Sequence, residues 1–169
     1  IILAKQNSVI IDPGHGGSDP GAVYGNRREK DDTLALAYDI GNALEQRGIR
    51  VEYTRIGDIY NSPYEKAEIG NRSAADLFLS IHRNAMPVPG TGSGTMSLIF
   101  GRGGDAETFA RNINKELAKT GWKDLGISER PNLVVLRDTA LPAVLVEVGF
   151  IDNENDNDFF DANMRQTAD

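Results

Sequence analysis

The ten residues Ser8–Gly17, SVIIDPGHGG, contain the pattern that decides the fold. The apolar run Ser8–Asp12 is typical of a short buried strand, and the proline and glycines of Pro13–Gly17 end it in a tight turn that carries His15. Leu77–His82 (LFLSIH) repeats this arrangement, because it is a buried strand that ends in the only other histidine of the chain. The sequence therefore places both of its histidines at strand ends.

Helical and strand patterns alternate along the rest of the chain. The predicted helices run from Asp31 to Gly48 with Asp31 or Asp32 as the cap, from the capping box at Ser62 to about Ala75, and from Asp105 to Gly121. The further predicted strands cover Ile49–Tyr53, Thr95–Phe100, Leu133–Leu136 and Ala143–Val148. The acidic segment Asp152–Asp158 is expected to be the solvated start of a last helix.

This alternation predicts the fold class α/β. We expect residues 1–169 to form a single domain with a mixed, mostly parallel, twisted sheet of about six strands and helices on both faces. Ligands of such sheets bind at the carboxyl ends of the strands. Both histidines are predicted at that edge.

Composition excludes several classes of protein. The 169 residues are 40% hydrophobic, and 18 Lys+Arg against 25 Asp+Glu give a net charge of −7 without a basic cluster, so neither nucleic acid nor an anionic membrane is an expected partner. No apolar run approaches the roughly 18 residues of a membrane span, so no membrane insertion is expected. The chain has no cysteine, so any metal must be bound by His, Asp or Glu. It begins at Ile1 rather than Met, which suggests a processed or truncated start and leaves an upstream export signal open.

His15 and His82 are candidates for a metal site, since parallel strands that end at one sheet edge bring distant residues into one cleft. Zinc or a similar ion would bind two neutral imidazoles and a carboxylate and keep a position open for water. Glu29 is the first candidate for that carboxylate, because its loop can fold back over the strand ends. A structural histidine and a solvated glutamate remain the alternatives. The competing carboxylates are Asp12, Asp19, Asp31 and Asp32.

Glu147 lies between Val146 and Val148 in an apolar strand, where a carboxylate is costly to bury unless a cation compensates it. A nearby metal would be such a cation. We therefore expect Glu147 to act as a general base or acid towards water at the metal, without necessarily being a ligand. The alternative is a structural salt bridge with an arginine.

The other polar candidates carry weaker signals. DPGHGG lacks the spacing and the lysine of a phosphate-binding loop, so a nucleotide site is not expected. Ser80 and Ser93 lack a nucleophile elbow. Arg72, Arg83 and Asn84 are either contacts of the site or ordinary surface residues.

Taken together, these motifs resemble the zinc-dependent N-acetylmuramoyl-L-alanine amidases of the amidase-3 type. The matching stretches, in order, are VIIDPGHGG at Val9–Gly17, EKD at Glu29–Asp31, Arg72, DLFLSIHRNA at Asp76–Ala85 and PAVLVEVGFIDN at Pro142–Asn153. The resemblance implies that His15, Glu29 and His82 bind Zn²⁺ and that Glu147 is the catalytic carboxylate. It also implies hydrolysis of the amide between the lactyl group of N-acetylmuramic acid and L-alanine of the peptidoglycan stem peptide, without an organic cofactor.

The resemblance further implies extracytoplasmic action, in bacterial wall remodelling or in phage lysis.

The sequence departs from the family in three places. Arg83 stands where a small residue is usual, so a long cation lies beside His82, and its role, whether in shaping the cleft or in contacting a substrate carboxylate, stays open. Gly101–Gly104 leads almost directly into a helix where some relatives insert a helix that covers the zinc, so we expect no inhibitory helix. The chain ends at Asp169, about where relatives usually continue into a final helix, so that helix is expected to be short.

Two other functions stay open at this point. One is a zinc peptidase acting on stem peptides, since the same groups would serve any acyl transfer. The other is a non-catalytic wall-binding module that holds the metal structurally. The net charge gives no attraction to anionic wall polymers, so a separate wall-binding module outside this chain is expected.

Overall fold

Eight strands and five helices alternate along residues 7–169, the part of the chain that the computed structural model describes. In chain order they are β1 Ser8–Pro13, β2 Val23–Tyr24, β3 Arg27–Arg28, α1 Glu29–Gln46, β4 Arg50–Tyr53, α2 Pro63–Arg72, β5 Leu77–Asn84, β6 Thr95–Ile99, α3 Gly104–Lys119, β7 Asp124–Glu129, α4 Val134–Arg137, β8 Ala143–Phe150 and α5 Glu154–Ala168. The expectation about a processed start concerns Ile1, which lies outside the described residues.

Six of the strands form one sheet in the order β4-β1-β5-β8-β6-β7. The strands β4, β1, β5 and β8 are parallel to one another, β6 is antiparallel to β8, and β7 is parallel to β6. The prediction of a mixed, mostly parallel sheet of about six strands is therefore confirmed. The remaining strands, β2 and β3, form a short antiparallel hairpin that leads into α1.

Helices cover both faces of the sheet, as predicted. Side chains of α1, α3 and α5 pack in one apolar cluster, whereas those of α2 and α4 pack in another. Strand β8 shows the alternation, since Val144 and Val146 belong to the first cluster and Ala143 and Leu145 to the second. Complete burial of a valine or leucine side chain contributes about 1.5–3 kcal/mol to the free energy of folding. No helix of residues 7–169 is both long enough and apolar enough to cross a membrane.

One predicted strand is wrong. Leu133 is the N-cap of the short helix α4, and the other residues of Leu133–Leu136 lie within that helix. The N–H of Arg137 donates to the carbonyl of Leu133 at 2.9 Å. A four-residue apolar run fits a helical turn as well as a buried strand. The sixth strand is instead β7, which lies at the sheet edge and is largely exposed, so it lacks the apolar pattern that marks a buried strand.

Two helix boundaries also differ from the prediction. Helix α1 begins at Glu29, and neither Asp31 nor Asp32 is its cap; both lie within the helix instead. Its first N–H groups are satisfied by backbone, because Glu29 donates to the carbonyl of Ala22 and Lys30 to that of Pro20. The capping box at the start of α2 is confirmed, but that helix ends at Arg72 because the next residue is extended.

The acidic segment at the start of α5 is a helix start, as predicted, but it is only partly solvated, because Glu154 and Asp158 are exposed whereas Asp152 and Asp156 are buried. Asp156 is only 5% exposed. Its carboxylate accepts hydrogen bonds from the Ser93 hydroxyl and from the backbone N–H groups of Gly94 and Phe150. Asp156 thus attaches α5 to the end of β8 and to the loop before β6, a role that an acidic composition does not reveal.

We therefore predict that Asp156→Ala destabilises the protein by roughly 2–4 kcal/mol, because it leaves buried N–H donors without acceptors. Asp158 lies on the exposed side of the same helix, so Asp158→Ala is the matched control and should change stability by less than about 0.5 kcal/mol. Chemical denaturation of both variants measures the difference. Equal losses would show that helix propensity, rather than the buried carboxylate, determines the effect.

Candidate metal centre

His15, Glu29 and His82 converge at the carboxyl edge of the sheet, although they come from three separate elements. His15 lies in the turn after β1, Glu29 is the first residue of α1, and His82 lies near the end of β5. Glu29 Oε2 is 3.0 Å from His15 Nε2, and Glu29 Oε1 is 2.9 Å from His82 Nδ1. One ligand atom from each residue lies within 4.8 Å of the others.

These three residues have the chemistry of a divalent metal site. Two imidazole nitrogens and one carboxylate form a donor set typical of catalytic zinc, which uses three protein ligands. The second nitrogen of His15, Nδ1, is 2.8 Å from Asp19 Oδ2. A carboxylate in this position orients a ligating imidazole and raises its basicity. Asp19, one of the competing carboxylates, therefore supports His15.

Electrostatics keep Glu29 ionised. Burial alone would raise its pKa, but the hydrogen bonds from His15 and His82 lower the pKa far below its ordinary value. Burial lowers the pKa of His15, whereas Glu29 and Asp19 raise it more, to about 8. The centre of the site is therefore a buried carboxylate held between two imidazoles, which is suited to a cation.

Glu147 lies beside this cluster but outside it. In the sheet it is paired with His82, and on its other side with Met96. Its Oε2 is buried and has no hydrogen-bond partner in the described part of the chain, so the alternative of an arginine salt bridge is not realised at this atom. Burial raises the pKa of Glu147 to about 7, against a lowering influence of His82. This carboxyl can therefore gain or lose a proton near neutral pH.

The other candidate carboxylates are engaged with cations and lie outside the His15–Glu29–His82 group. Asp31 pairs with Arg28, and Asp32 pairs with both Arg27 and Arg83. Asp12 is completely buried, and it accepts hydrogen bonds from the Lys66 ammonium and from the hydroxyls of Thr54 and Ser80. Burial alone would raise the pKa of Asp12, but Lys66 keeps it below its ordinary value.

The turn that carries His15 is held by cations that the sequence analysis missed. His15 has a φ of +60°, which is uncommon for a residue other than glycine. Arg55 donates to the carbonyls of Pro13 and Gly14, and Lys66 also donates to that of Pro13. The sequence signal for Arg55 was its position two residues after the end of β4, whose carboxyl end meets the same sheet edge.

Two glycines approach the candidate ligands closely. A Cβ added to Gly14 would lie 2.5 Å from His82 Cε1. A Cβ on Gly21, which has a φ of +66°, would lie 2.5 Å from His15 Cδ2 and 2.6 Å from Glu29 Oε2. These glycines provide the room that the three candidate ligand side chains occupy.

Several sequence candidates lie outside the site. Arg72 is an exposed arginine on α2 that pairs with Glu68. Ser80 donates to Asp12, and Ser93 to Asp156. These three are surface or structural residues.

Arg83 and Asn84, which follow His82, and the connection after β6 also differ from a simple surface location or an inserted helix. The Asn84 amide donates to Met96 Sδ. The Arg83 side chain is fully buried, because strand alternation turns it away from His82, so it does not meet a substrate carboxylate. Residues 100–103 connect β6 directly to α3, with no helix between them.

Comparison with known proteins gives one consistent family. The family model described as N-acetylmuramoyl-L-alanine amidase matches residues 9–168. The chain is 40% identical over 152 residues to the N-acetylmuramoyl-L-alanine amidase CwlM of Bacillus licheniformis, covering 88% of this chain and 58% of that protein. It is 36% identical over 154 residues to an endolysin of Bacillus phage SPP1, covering 88% and 56%. The chain therefore spans less than two thirds of the length of these curated relatives.

A solved structure shows the same fold. The N-acetylmuramoyl-L-alanine amidase from Clostridium difficile 630 matches with a TM-score of 0.91 at 32% identity, covering 98% of this chain and 92% of that chain. The α/β architecture with its mostly parallel sheet is thus shared with a protein of known structure.

We predict that Gly14→Ala weakens Zn²⁺ binding about 10-fold or more, because the added methyl group would displace the His82 ring. The backbone of Gly14 does not have a positive φ, so the substitution tests steric contact alone. Gly101→Ala is the control, since a Cβ there meets nothing within 4 Å. Isothermal titration calorimetry measures both affinities, and an unchanged affinity for Gly14→Ala would contradict the placement of His82.

Proposed function

The chain belongs to the N-acetylmuramoyl-L-alanine amidase family, and from this membership we propose that it is a zinc-dependent hydrolase of peptidoglycan. The bond cleaved is the amide between the lactyl group of N-acetylmuramic acid and L-alanine of the stem peptide. The observation that carries the proposal is the convergence of His15, Glu29 and His82 beside the unpartnered carboxyl oxygen of Glu147.

In this proposal His15, Glu29 and His82 would hold Zn²⁺ through one atom each. When bound, the ion supplies a Lewis acid that polarises the amide carbonyl and makes water nucleophilic at neutral pH. Asp19 orients the His15 ring through its hydrogen bond to Nδ1. The ionised state of Glu29 suits a ligand, because a carboxylate must be deprotonated to bind a metal ion. Its two oxygens also face the imidazole nitrogens of His15 and His82.

Glu147 would be the general base and then the general acid. Its buried Oε2 has no competing partner in the described residues, so it can accept the proton of the attacking water. A pKa of about 7 allows the same carboxyl to pass that proton to the departing L-alanine amine. The product amine leaves protonated, and the lactyl group is released as a carboxylate.

The biological setting follows from the substrate. Peptidoglycan lies outside the cytoplasmic membrane, so the proposed catalytic domain, residues 1–169, would act extracytoplasmically. The curated relatives include a bacterial amidase and a phage endolysin, and both wall remodelling and viral lysis fit the chemistry. Residues 100–103 connect β6 to α3 without a helix between them, so no inhibitory helix in this connection is part of the proposal.

We further propose that attachment to the wall depends on a separate module outside this domain. The net charge of −7 repels the anionic polymers of the wall. The domain should therefore stay in the supernatant when it is sedimented with intact walls at low salt. Tight co-sedimentation under these conditions would contradict the proposal.

We predict that Glu147→Gln lowers the rate of peptidoglycan hydrolysis by about 10²–10⁴-fold, because the amide cannot take up the proton. Zn²⁺ content should stay unchanged, since Glu147 is not one of the three ligands. Glu154→Gln is the matched control, because Glu154 is an exposed glutamate at the start of α5, and it should keep full activity. Release of L-alanine amino termini from purified peptidoglycan measures the rate.

The products of the unsubstituted protein test the bond assignment. New L-alanine amino termini without new reducing sugars support the amidase, and chelation should abolish their release. Cuts confined to the stem peptide would instead indicate a zinc peptidase. Activity that survives Glu147→Gln unchanged would remove Glu147 from the mechanism.

A further inference from the structure

The Arg83 side chain is fully buried, although it is charged and directly follows His82. Its Nη1 forms an ion pair with Asp32 Oδ2 on α1. Its Nη2 donates to Asn157 Oδ1 on α5 at 2.7 Å, and its Cζ lies 4.1 Å from the ring centroid of Phe160 on the same helix. One guanidinium therefore joins strand β5 to both α1 and α5.

These contacts connect the two elements that carry Glu29 and His82. Glu29 begins α1, and Asp32 lies about one turn later on that helix. The backbone N–H of Arg83 donates to Glu29 Oε1 at 3.0 Å, and the same oxygen is 2.9 Å from His82 Nδ1. Arg83 thus holds Glu29 directly through its backbone and holds the helix of Glu29 through its side chain.

Ion pairs hold the Arg83 guanidinium in place. Arg27 donates to Asp32 at 2.7 Å and also pairs with Asp161, so the two guanidiniums share the Asp32 carboxylate. Burying a guanidinium is unfavourable unless it is paired, and an apolar side chain would fill the space beside Phe160 without that cost. An apolar side chain would not, however, fix the distance between α1 and β5 through a directional ion pair.

We propose that Arg83 is a positioning residue, which sets the spacing between Glu29 and His82 and thereby the affinity of the site for Zn²⁺. The inference rests on the proposed function, because it requires these residues to be zinc ligands. The guanidinium acts through Asp32 and α1 and does not contact the substrate. Groups that orient zinc ligands in this way affect metal affinity strongly.

The test measures Zn²⁺ dissociation constants by competition with a chelating indicator, at a temperature where melting curves show that each protein is folded. Arg83→Met removes the guanidinium but keeps an unbranched apolar stem, and it should weaken binding about 10- to 100-fold. Arg83→Lys can still pair with Asp32 but cannot also bond to Asn157. Its affinity should lie between those of the Met variant and the unsubstituted protein.

Asn114→Ala is the control for a purely structural effect. Asn114 is a buried polar residue of α3, and its partners Ser97, Asp124 and Gly126 lie on β6 and β7. This variant should melt at a lower temperature and bind Zn²⁺ with unchanged affinity. A loss of affinity equal to that of Arg83→Met would show that any destabilisation weakens the site, and would overturn the inference.

The remaining outcomes separate this inference from the proposed function. Unchanged affinity in Arg83→Met, or a Lys variant that binds no better than the Met variant, overturns the positioning role and leaves the amidase proposal intact. If Arg83→Met does not fold, Asn157→Ala removes one partner of the guanidinium, together with the hydrogen bond that the Asn157 amide donates to the Ile151 carbonyl, and should weaken binding about fivefold; unchanged affinity there also overturns the inference. Failure of the unsubstituted chain to bind Zn²⁺ overturns both proposals.

Discussion

The Glu29 carboxylate lies buried between two imidazole rings, and the rest of the structure depends on this contact. A buried carboxylate is unfavourable unless charged or hydrogen-bonding partners compensate it, and the partners here are His15 and His82. His15 follows β1 and His82 lies in β5, so the contact forms only when β1, β5 and the start of α1 reach their final positions. The parallel pairing of β1 with β5 brings the two histidines to the same edge.

The local backbone is shaped to permit that contact. His15 adopts a positive φ, and this conformation persists because Arg55, Lys66 and Thr33 bond to the carbonyls on its N-terminal side. Uncommon backbone conformations of this kind persist where surrounding interactions determine them. The same edge of the sheet therefore contains a candidate metal centre and two buried cations, Arg55 and Lys66, that hold the turn of His15.

The sequence predicted a mixed, mostly parallel sheet and the candidate ligands His15, Glu29 and His82, which the structure brings together, but it did not identify the residues that support them. The strand pattern alone places both histidines at strand ends. The free-energy cost of burying a carboxylate marks the isolated glutamate in an apolar strand. The helix α4 and the edge strand β7 were missed because a short apolar run is ambiguous and an exposed strand has no apolar pattern. Arg83 could not be assigned, since its partners Asp32 and Asn157 lie 51 and 74 residues away in the chain.

The two glutamates of the site show how environment divides the chemical roles. Glu29 is buried and Glu147 is mostly buried, and in both cases burial acts to raise the pKa of the carboxyl. For Glu29 the hydrogen bonds from two imidazoles outweigh burial and lower the pKa, whereas Glu147 Oε2 has no such bond in residues 7–169 and its pKa is about 7. Carboxyls whose pKa values are separated in this way serve different functions. The permanently charged one suits a metal ligand, and the one that titrates near neutral pH suits proton transfer.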